Sequence, residues 1–261
     1  MGENRFRFER DGGLATITLC RPEAGNALDD AAGREIREIA VECVRNADIR
    51  AVLMLSEGKN FCVGGDLGHV GKQADPGGAI REMTVDFHAA MLLFSQMDAP
   101  LITGVQGAAT GAGLSLTAVS DYVVAARSSL FAYAYTGIGL TSDGGLTWTL
   151  PRLIGLRNFQ SLYLTGRRVS AEEALTLGIV SEVADDEAYA DRARALATQI
   201  AQGPTRAFGA IKRLTSATFD HGFAAQLEAE SQAIMQVART DDVRGAIEAL
   251  FAKRKPVFNG R

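Results

Sequence analysis

Residues 101–116, L-I-T-G-V-Q-G-A-A-T-G-A-G-L-S-L, form the stretch that decides the fold. A largely apolar run opens it, a cluster of Gly and Ala follows, and an apolar segment without Gly or Pro begins after Gly113. This order predicts a buried strand, a tight loop and the start of a helix. Small side chains let the backbone come close to a ligand, and the free N–H groups of a helix start point into the loop. The stretch therefore predicts a preformed site for an oxyanion.

A second loop of small residues favours the same interpretation. Residues 61–67, F-C-V-G-G-D-L, follow a strand predicted for residues 51–55, which are apolar at every position and therefore fit a parallel strand covered on both faces. Two such loops can each offer one N–H group to a single carbonyl oxygen. The alternative is that the small residues only let a helix pack closely on a strand. Phosphate binding fits less well, because the sequence has neither the Walker pattern nor a G-x-G-x-x-G between strand and helix.

The composition predicts a folded globular protein. Of the 261 residues 47% are hydrophobic, and the formal net charge of -4 argues against a nucleic-acid-binding surface. The three cysteines are scattered without metal-ligand spacing, so we expect no disulfide framework, no metal site and a reducing, cytoplasmic location. We also expect no membrane span and no signal peptide.

Local signals place several elements. Residues 6–10 and 14–19 are predicted to form a hairpin, and Asp29 to cap the helix that follows. Residues 68–78, rich in Gly, are predicted to form a mobile connection. Ser170 begins a capping box. These signals alternate between strand and helix.

The order of elements predicts the fold class. Strands and helices alternate through the first part of the chain, and from residue 185 onward every apolar pattern is helical. This predicts an α/β fold with a core in residues 1–195 and a C-terminal helical region in residues 196–261.

The two loops resemble the signature of the crotonase superfamily, also called the enoyl-CoA hydratase/isomerase family, which reads F-C-x-G-x-D-L and then x-G-x-A-x-G-x-G. A third block of the family, G-L-x-x-D-G-G-x-x-W-x-L-P-R-x-x-G, matches residues 139–155. The likeness extends from about residue 13 to residue 258. It implies a crotonase-like spiral of ββα turns with a C-terminal helical trimerisation region, assembled as a homotrimer or homohexamer.

The resemblance also implies a substrate and its contacts. The thioester carbonyl of an acyl-CoA is expected to lie between the N–H groups of Gly65 and Ala112. In the family, a basic residue from a neighbouring subunit reaches the coenzyme A phosphates, and Lys253 lies near that place. The full set of substrate contacts implied by the resemblance is Ala27, Cys62, Gly64, Asp66, Leu67, Gly111, Ser115, Tyr135 and Lys253.

The sequence departs from the hydratases of the family at their two glutamates, whose positions hold Ser115 and Tyr135. Neither side chain replaces a carboxylate as a base near neutral pH. Asp143 is the expected replacement, because members similar to the ring-epoxide phenylacetyl-CoA isomerase and the dienoyl-CoA isomerases carry an acid/base aspartate there. His88 is a second catalytic candidate, because 4-chlorobenzoyl-CoA dehalogenases carry a histidine at the matching place. The alternatives are that Asp143 only caps the following helix and that His88 only packs.

The sequence also predicts where four aromatic side chains near these motifs lie. Tyr133 and Tyr135 are predicted to alternate on a strand, so that one lines the acyl pocket while the other packs. Trp148 and Phe131 are predicted to lie in the core.

The resulting hypothesis is an acyl-CoA isomerase that shifts a double bond by enolate stabilisation and proton transfer through Asp143. It needs no cofactor, since coenzyme A enters as part of the substrate. The alternatives are an unusual hydratase or lyase, and a dehalogenase-like or hydrolytic enzyme with Asp143 as nucleophile. A protein of another class, a non-catalytic acyl-CoA-binding or RNA-binding relative, also remains open.

Overall fold

Residues 4–261 are described by a computed structural model, and they form two sheets surrounded by helices. The larger sheet has the order β1-β2-β3-β4-β6-β9, in which only the β1/β2 pair is antiparallel. Its strands are β1 (Phe6–Asp11), β2 (Leu14–Leu19), β3 (Ala51–Ser56), β4 (Leu101–Val105), β6 (Tyr122–Ala126) and β9 (Glu182–Ala184). The smaller sheet has the order β5-β7-β8 and consists of β5 (Ala108–Thr110), β7 (Leu130–Ala132) and β8 (Arg168–Ser170).

The helices follow the strands along the chain and cover both sheets. They are α1 (Asp30–Arg45), α2 (Leu67–Val70), α3 (Pro76–Gln96), α4 (Ala112–Val119), α5 (Leu146–Ile154), α6 (Leu156–Thr165), α7 (Ala171–Leu177), α8 (Tyr189–Ala201), α9 (Thr205–Ala217), α10 (Phe223–Ala238) and α11 (Asp241–Phe251). The α/β class and the helical C-terminal region are therefore both confirmed.

The central strands of the larger sheet are buried on both faces, as the uniformly apolar β3 predicts. Val52 and Met54 point into the main hydrophobic core, whereas Ala51 and Leu53 pack beneath α8 with Ala193. Successive side chains of a strand point to opposite faces, so a strand covered by helices on both sides must be apolar throughout. β3 and β4 lie at the centre of this sheet, and each is followed by one of the two loops of small residues.

The local signals gave the correct element starts. The hairpin of β1 and β2 is confirmed. Asp29 accepts a hydrogen bond from the N–H of Ala32, and Ser170 accepts one from Glu173, so both predicted N-caps are confirmed. The predicted connection over residues 68–78 is not one long loop, because α2 occupies its start and α3 begins at Pro76.

Two expectations require correction. The loop after β4 contains a strand of its own, β5, which pairs with β7 rather than with the larger sheet. Tyr133 and Tyr135 do not alternate on a strand, because Ala134 adopts a left-handed conformation with φ of 60° and Tyr135 begins a 3₁₀ turn. The ring of Tyr133 is buried at 4% exposure, and Phe131 is fully buried as predicted.

The boundary predicted at residues 195 and 196 falls inside α8, whose Ala193 and Ala197 both pack on the sheet. Further along, α10 and α11 leave large apolar side chains exposed, among them Phe223 and Phe251. Such a surface is what an oligomer interface covers. The homotrimer or homohexamer stays a prediction.

Within residues 4–261, no helix is long and apolar enough to cross a membrane.

Candidate active site

The two predicted loops lie side by side and are joined by backbone hydrogen bonds. Cys62 pairs with β5, since its N–H donates to the Ala108 carbonyl at 3.1 Å and its carbonyl accepts from Thr110 at 3.0 Å. On its other side, the loop pairs with Leu28, whose N–H donates to the Gly64 carbonyl at 2.8 Å. The loop that carries Gly65 is therefore fixed between β5 and the segment that leads into α1.

Glycine is required where the two loops touch. A Cβ on Gly113 would overlap the Cys62 carbonyl, so no larger residue fits there without movement of the backbone. Gly64 has φ of 107°, and a Cβ on it would lie 3.6 Å from the Ala112 nitrogen. The N-terminus of α4 therefore lies directly against the first loop.

The N–H groups of Gly65 and Ala112 are both available to a ligand. Leu28 pairs with the Gly64 carbonyl and the Asp66 N–H, so the Gly65 N–H between them takes no part in this backbone pairing. Ala112 is the first residue of α4, and its N–H has no acceptor one turn earlier. Neither amide donates to an acceptor within residues 4–261. Two free donors on adjoining loops are the arrangement expected of an oxyanion hole.

Asp143 lies in the turn before α5 and is held by Tyr135. The Tyr135 hydroxyl donates to Asp143 Oδ1 at 2.6 Å, and Ser115 Oγ donates to the Asp143 carbonyl oxygen at 3.1 Å. Ser115 Oγ also lies 3.4 Å from the Tyr135 hydroxyl. Since Ser115 is on α4, these contacts place the carboxylate beside the helix that provides the Ala112 N–H. The structure thus brings together Ser115 and Tyr135, which the resemblance places at the two glutamate positions, and Asp143, the expected replacement base.

Tyr135 remains a hydrogen-bond donor at neutral pH. Burial raises the pKa of its hydroxyl, and the charge of the neighbouring Asp143 raises it further. The hydroxyl therefore keeps its proton and points it at the carboxylate. Its ring also packs close to the oxyanion loop, since a Cβ on Gly111 would lie 3.8 Å from Tyr135 Cζ.

His88 contacts the backbone beside Asp143. The N–H of Gly144 donates to His88 Nε2 at 3.0 Å, which places the ring proton of a neutral imidazole on Nδ1. Within the described residues, no hydrogen bond joins this ring to the Asp143 carboxylate. His88 therefore lies at the site and supports the turn that carries Asp143.

Arg21 is a residue of this region that the sequence motifs did not indicate. Its guanidinium donates to Asp66 at 2.8 Å and to the carbonyl of Ala27 at 3.3 Å. Burial alone would raise the pKa of Asp66, but hydrogen bonds from the His69 N–H and Arg21 outweigh burial and lower it. Asp66 also caps α2. Arg21 lies in the loop between β2 and α1, where no motif of the sequence marks it.

The remaining predicted contacts lie in different places. Cys62 is fully enclosed, and burial raises the pKa of its thiol to about 12, so its side chain lies behind the loop instead of facing a ligand. Leu67 is half exposed at the start of α2. Lys253 follows α11, is exposed, and forms no ion pair within the described part of the chain. Its contact with a neighbouring subunit stays a prediction.

A cavity of about 690 Å³ opens beside His88 and Gly144, between α3, α5 and α9. Met91, Leu92 and Val119 contribute apolar side chains to its wall. Trp148 lines it as well and is 42% exposed, which corrects the expectation of a core residue. The guanidinium of Arg152 lies 3.9 Å from the centre of the Trp148 ring and stabilises the position of the indole.

Among residues 4–261, no three His, Cys, Asp or Glu side chains gather in a way that could hold a metal ion.

Comparison with known proteins shows which family this chain is similar to. The sequence profile of the enoyl-CoA hydratase/isomerase family matches residues 9–261. The chain is 35% identical to the 1,2-epoxyphenylacetyl-CoA isomerase of Escherichia coli over 95% of its own length and 96% of that protein's. It is 34% identical to a Rhodobacter capsulatus protein named "probable enoyl-CoA hydratase" over the full length of both. The crystal structure of an enoyl-CoA hydratase from Bacillus anthracis superposes with a TM-score of 0.92 at 28% identity, covering 98% of this chain and 100% of that one.

Proposed function

The chain belongs to the enoyl-CoA hydratase/isomerase family, and we propose that it is an acyl-CoA isomerase that shifts the double bond of an enoyl-CoA. The observation that carries the proposal is the hydrogen bond between Tyr135 and Asp143. Hydroxyl groups occupy the positions of the two glutamates of the hydratases, and both bond to one aspartate: Tyr135 to its carboxylate and Ser115 to its main-chain carbonyl oxygen. The E. coli relative named as an isomerase adds support.

The proposed reaction begins with polarisation of the thioester. The carbonyl oxygen accepts hydrogen bonds from the N–H groups of Gly65 and Ala112, so that negative charge gathers there when a neighbouring C–H bond breaks. Each donor of this kind is worth roughly 3 kcal/mol of barrier. Asp143 takes the proton from one carbon and returns it to the carbon two bonds away. The reaction consumes no cofactor, because coenzyme A enters and leaves with the acyl group.

The residues at the glutamate positions argue against simple hydration. A hydratase uses two carboxylates, one for water and one for the carbon-bound proton. Because burial and Asp143 raise the pKa of Tyr135, its hydroxyl is no base at neutral pH. A double-bond shift needs one base that serves two carbons, which is what Asp143 can supply.

A mechanism with Asp143 as nucleophile would require His88 to activate water. The Nε2 lone pair of His88 already accepts the Gly144 N–H at 3.0 Å, so in the neutral imidazole Nδ1 is the N–H donor. In this arrangement neither ring nitrogen is free to take a proton from water. This geometry favours the isomerase over the hydrolytic alternative.

We assign the acyl group to the cavity between α3, α5 and α9. It starts at Gly144, the residue after Asp143, and its volume of about 690 Å³ is within the range of pockets that enclose whole small molecules. Trp148 forms part of its wall and therefore limits the size of the acyl group.

The test is an exchange experiment in deuterated water. Purified protein is offered 2-enoyl-, 3-enoyl- and aryl-CoA thioesters, and products are followed by mass spectrometry and NMR. Asp143→Asn is compared with the wild type, because the amide oxygen can still accept the Tyr135 hydrogen bond while the base is removed. Asp48→Asn, which changes an exposed carboxylate paired with Arg261, is the matched control.

We expect the wild type and Asp48→Asn to shift the double bond and Asp143→Asn to lose that activity, whatever amount of deuterium enters the product from the solvent. Binding of acyl-CoA without a double-bond shift in any substrate would contradict the proposal and favour a non-catalytic protein. Release of halide or free acid would instead favour Asp143 as a nucleophile.

A further inference from the structure

We propose that Tyr135 is a positioning residue that makes Asp143 a one-oxygen base, so that the proton removed from the substrate is the one returned to it. This inference rests on the proposed isomerase function. It concerns the group that fixes the base during this proton transfer, a role that we assign to Tyr135.

The two oxygens of Asp143 have different surroundings. Oδ1 accepts the Tyr135 hydroxyl at 2.6 Å, a short bond of the kind made to an ionised acceptor. Oδ2 accepts no hydrogen bond from residues 4–261, and it is absent from the enclosed polar atoms that lack a partner, so it is not fully enclosed. The carboxylate therefore offers one occupied and one free oxygen.

Tyr135 is itself held in place. Its ring packs edge-on against Tyr133 at 5.2 Å, and Tyr133 packs in turn against Phe159 at 5.7 Å. Ser115 Oγ lies 3.4 Å from its hydroxyl. A donor fixed by this packing prevents the carboxyl group from exchanging its two oxygens by rotation, because rotation would break a charge-assisted hydrogen bond.

The chemistry follows from this asymmetry. When a substrate C–H bond breaks, its electron pair passes into the enolate and its proton goes to Oδ2, because Oδ1 already accepts the Tyr135 hydroxyl and Oδ2 accepts no hydrogen bond from residues 4–261. The O–H bond at Oδ2 then breaks, and the same proton forms the new C–H bond at the second carbon as the enolate electrons return. The carboxylate is regenerated and no other reactant is used. A proton held on a fixed oxygen beneath the substrate returns faster than it exchanges with water.

The probe is 3-hexenoyl-CoA with deuterium at both C2 positions, turned over in ordinary water and analysed at low conversion. Direct return of the abstracted deuteron gives 2-hexenoyl-CoA with two deuterons, one of them at C4. Exchange with water gives a product with one. Mass spectrometry counts the two products, and NMR locates the label.

We expect the doubly labelled product to predominate for the wild type and to become the minor product for Tyr135→Phe. The variant should lower kcat by on the order of tenfold and leave KM nearly unchanged, because it loosens the base while the N–H donors of Gly65 and Ala112 stay in place. Tyr133→Phe is the matched control, since it removes the same atom from the neighbouring ring, and it should keep the wild-type label ratio. If Tyr135→Phe does not fold, Tyr135→Leu repeats the measurement without a donor.

Complete loss of the second deuteron in the wild type would overturn this inference while leaving the isomerase intact. So would a label ratio that Tyr135→Phe does not change, because exclusion of water would then explain the return. Absence of any double-bond shift across the thioester panel would instead overturn the proposed function, and this inference with it.

Discussion

Gly144→Ala should damage both the stability and the activity of the protein, because Gly144 is enclosed by the residues that surround Asp143. Its φ is +60°, and a Cβ would lie 2.7 Å from Phe87 Cε1 and 2.7 Å from Ser115 Cβ. Its N–H also donates to His88. The added methyl group can only be accommodated if the turn moves, and the turn carries the carboxylate.

Gly145 provides a matched control for the magnitude. Its φ of +76° is also left-handed, but nothing lies within 4 Å of its Cβ position. A left-handed alanine costs about 1–2 kcal/mol, which both variants should lose. Gly144→Ala should lose about 1–3 kcal/mol more from the steric overlap. In a chain of this size, each kcal/mol lowers Tm by about 2–4 °C.

Thermal unfolding and the 3-enoyl-CoA isomerisation assay measure the two effects separately. We expect Gly145→Ala to keep kcat/KM close to the wild type, and Gly144→Ala to lower it about 100-fold, as a displacement near 1 Å at a reacting group does. Equal Tm values for the two variants would show that the overlap is not real. A less stable Gly144→Ala with full kcat/KM would show that Gly144 does not position Asp143.

Three further predictions concern other parts of the molecule. Burial raises the pKa of Cys43 and Cys62 to about 12, so the folded chain keeps thiol protons that the unfolded chain releases above about pH 9. The free energy of unfolding, measured by urea unfolding under reductant, should therefore fall as the pH rises from 9 to 12. A flat profile would contradict the burial of the two thiols. Arg21→Ala should lower kcat/KM about tenfold, because its guanidinium holds Asp66 and the loop that carries Gly65. The control Arg127→Ala breaks exposed ion pairs and should change Tm and kcat/KM little. Equal effects of the two variants would show that Arg21 has no role at the site. Trp148→Ala should raise kcat/KM for bulky acyl-CoA thioesters relative to short ones in a competition assay, and an unchanged ratio would place the acyl group elsewhere.

Much of the fold could be predicted because it rests on local patterns. Uniformly apolar residues place β3 between two layers, and Asp29 and Ser170 mark helix starts through hydrogen bonds made within one turn. The loops around Gly65 and Ala112 were recognisable because close backbone contact demands small residues over a short stretch. Such signals involve neighbours along the chain, so the sequence alone contains them.

The features that could not be predicted depend on contacts between residues that are far apart in sequence. β5 is too short to show a pattern, and it forms because β7 and Cys62 lie beside it in space. Trp148 looked like a core residue by its chemistry, but the cavity beside it is created by α3 and α9.

The sequence by itself determined the α/β class, and it predicted the two small-residue loops and, through the resemblance, Ser115 and Tyr135 at the glutamate positions of the hydratases. Only the tertiary structure decided what these replacements do. Because a left-handed Ala134 turns the chain, the Tyr135 hydroxyl lies 2.6 Å from Asp143 instead of pointing from a strand. The direction of one side chain depends on backbone angles and packing from several elements, and no pattern of residue types along the chain records it.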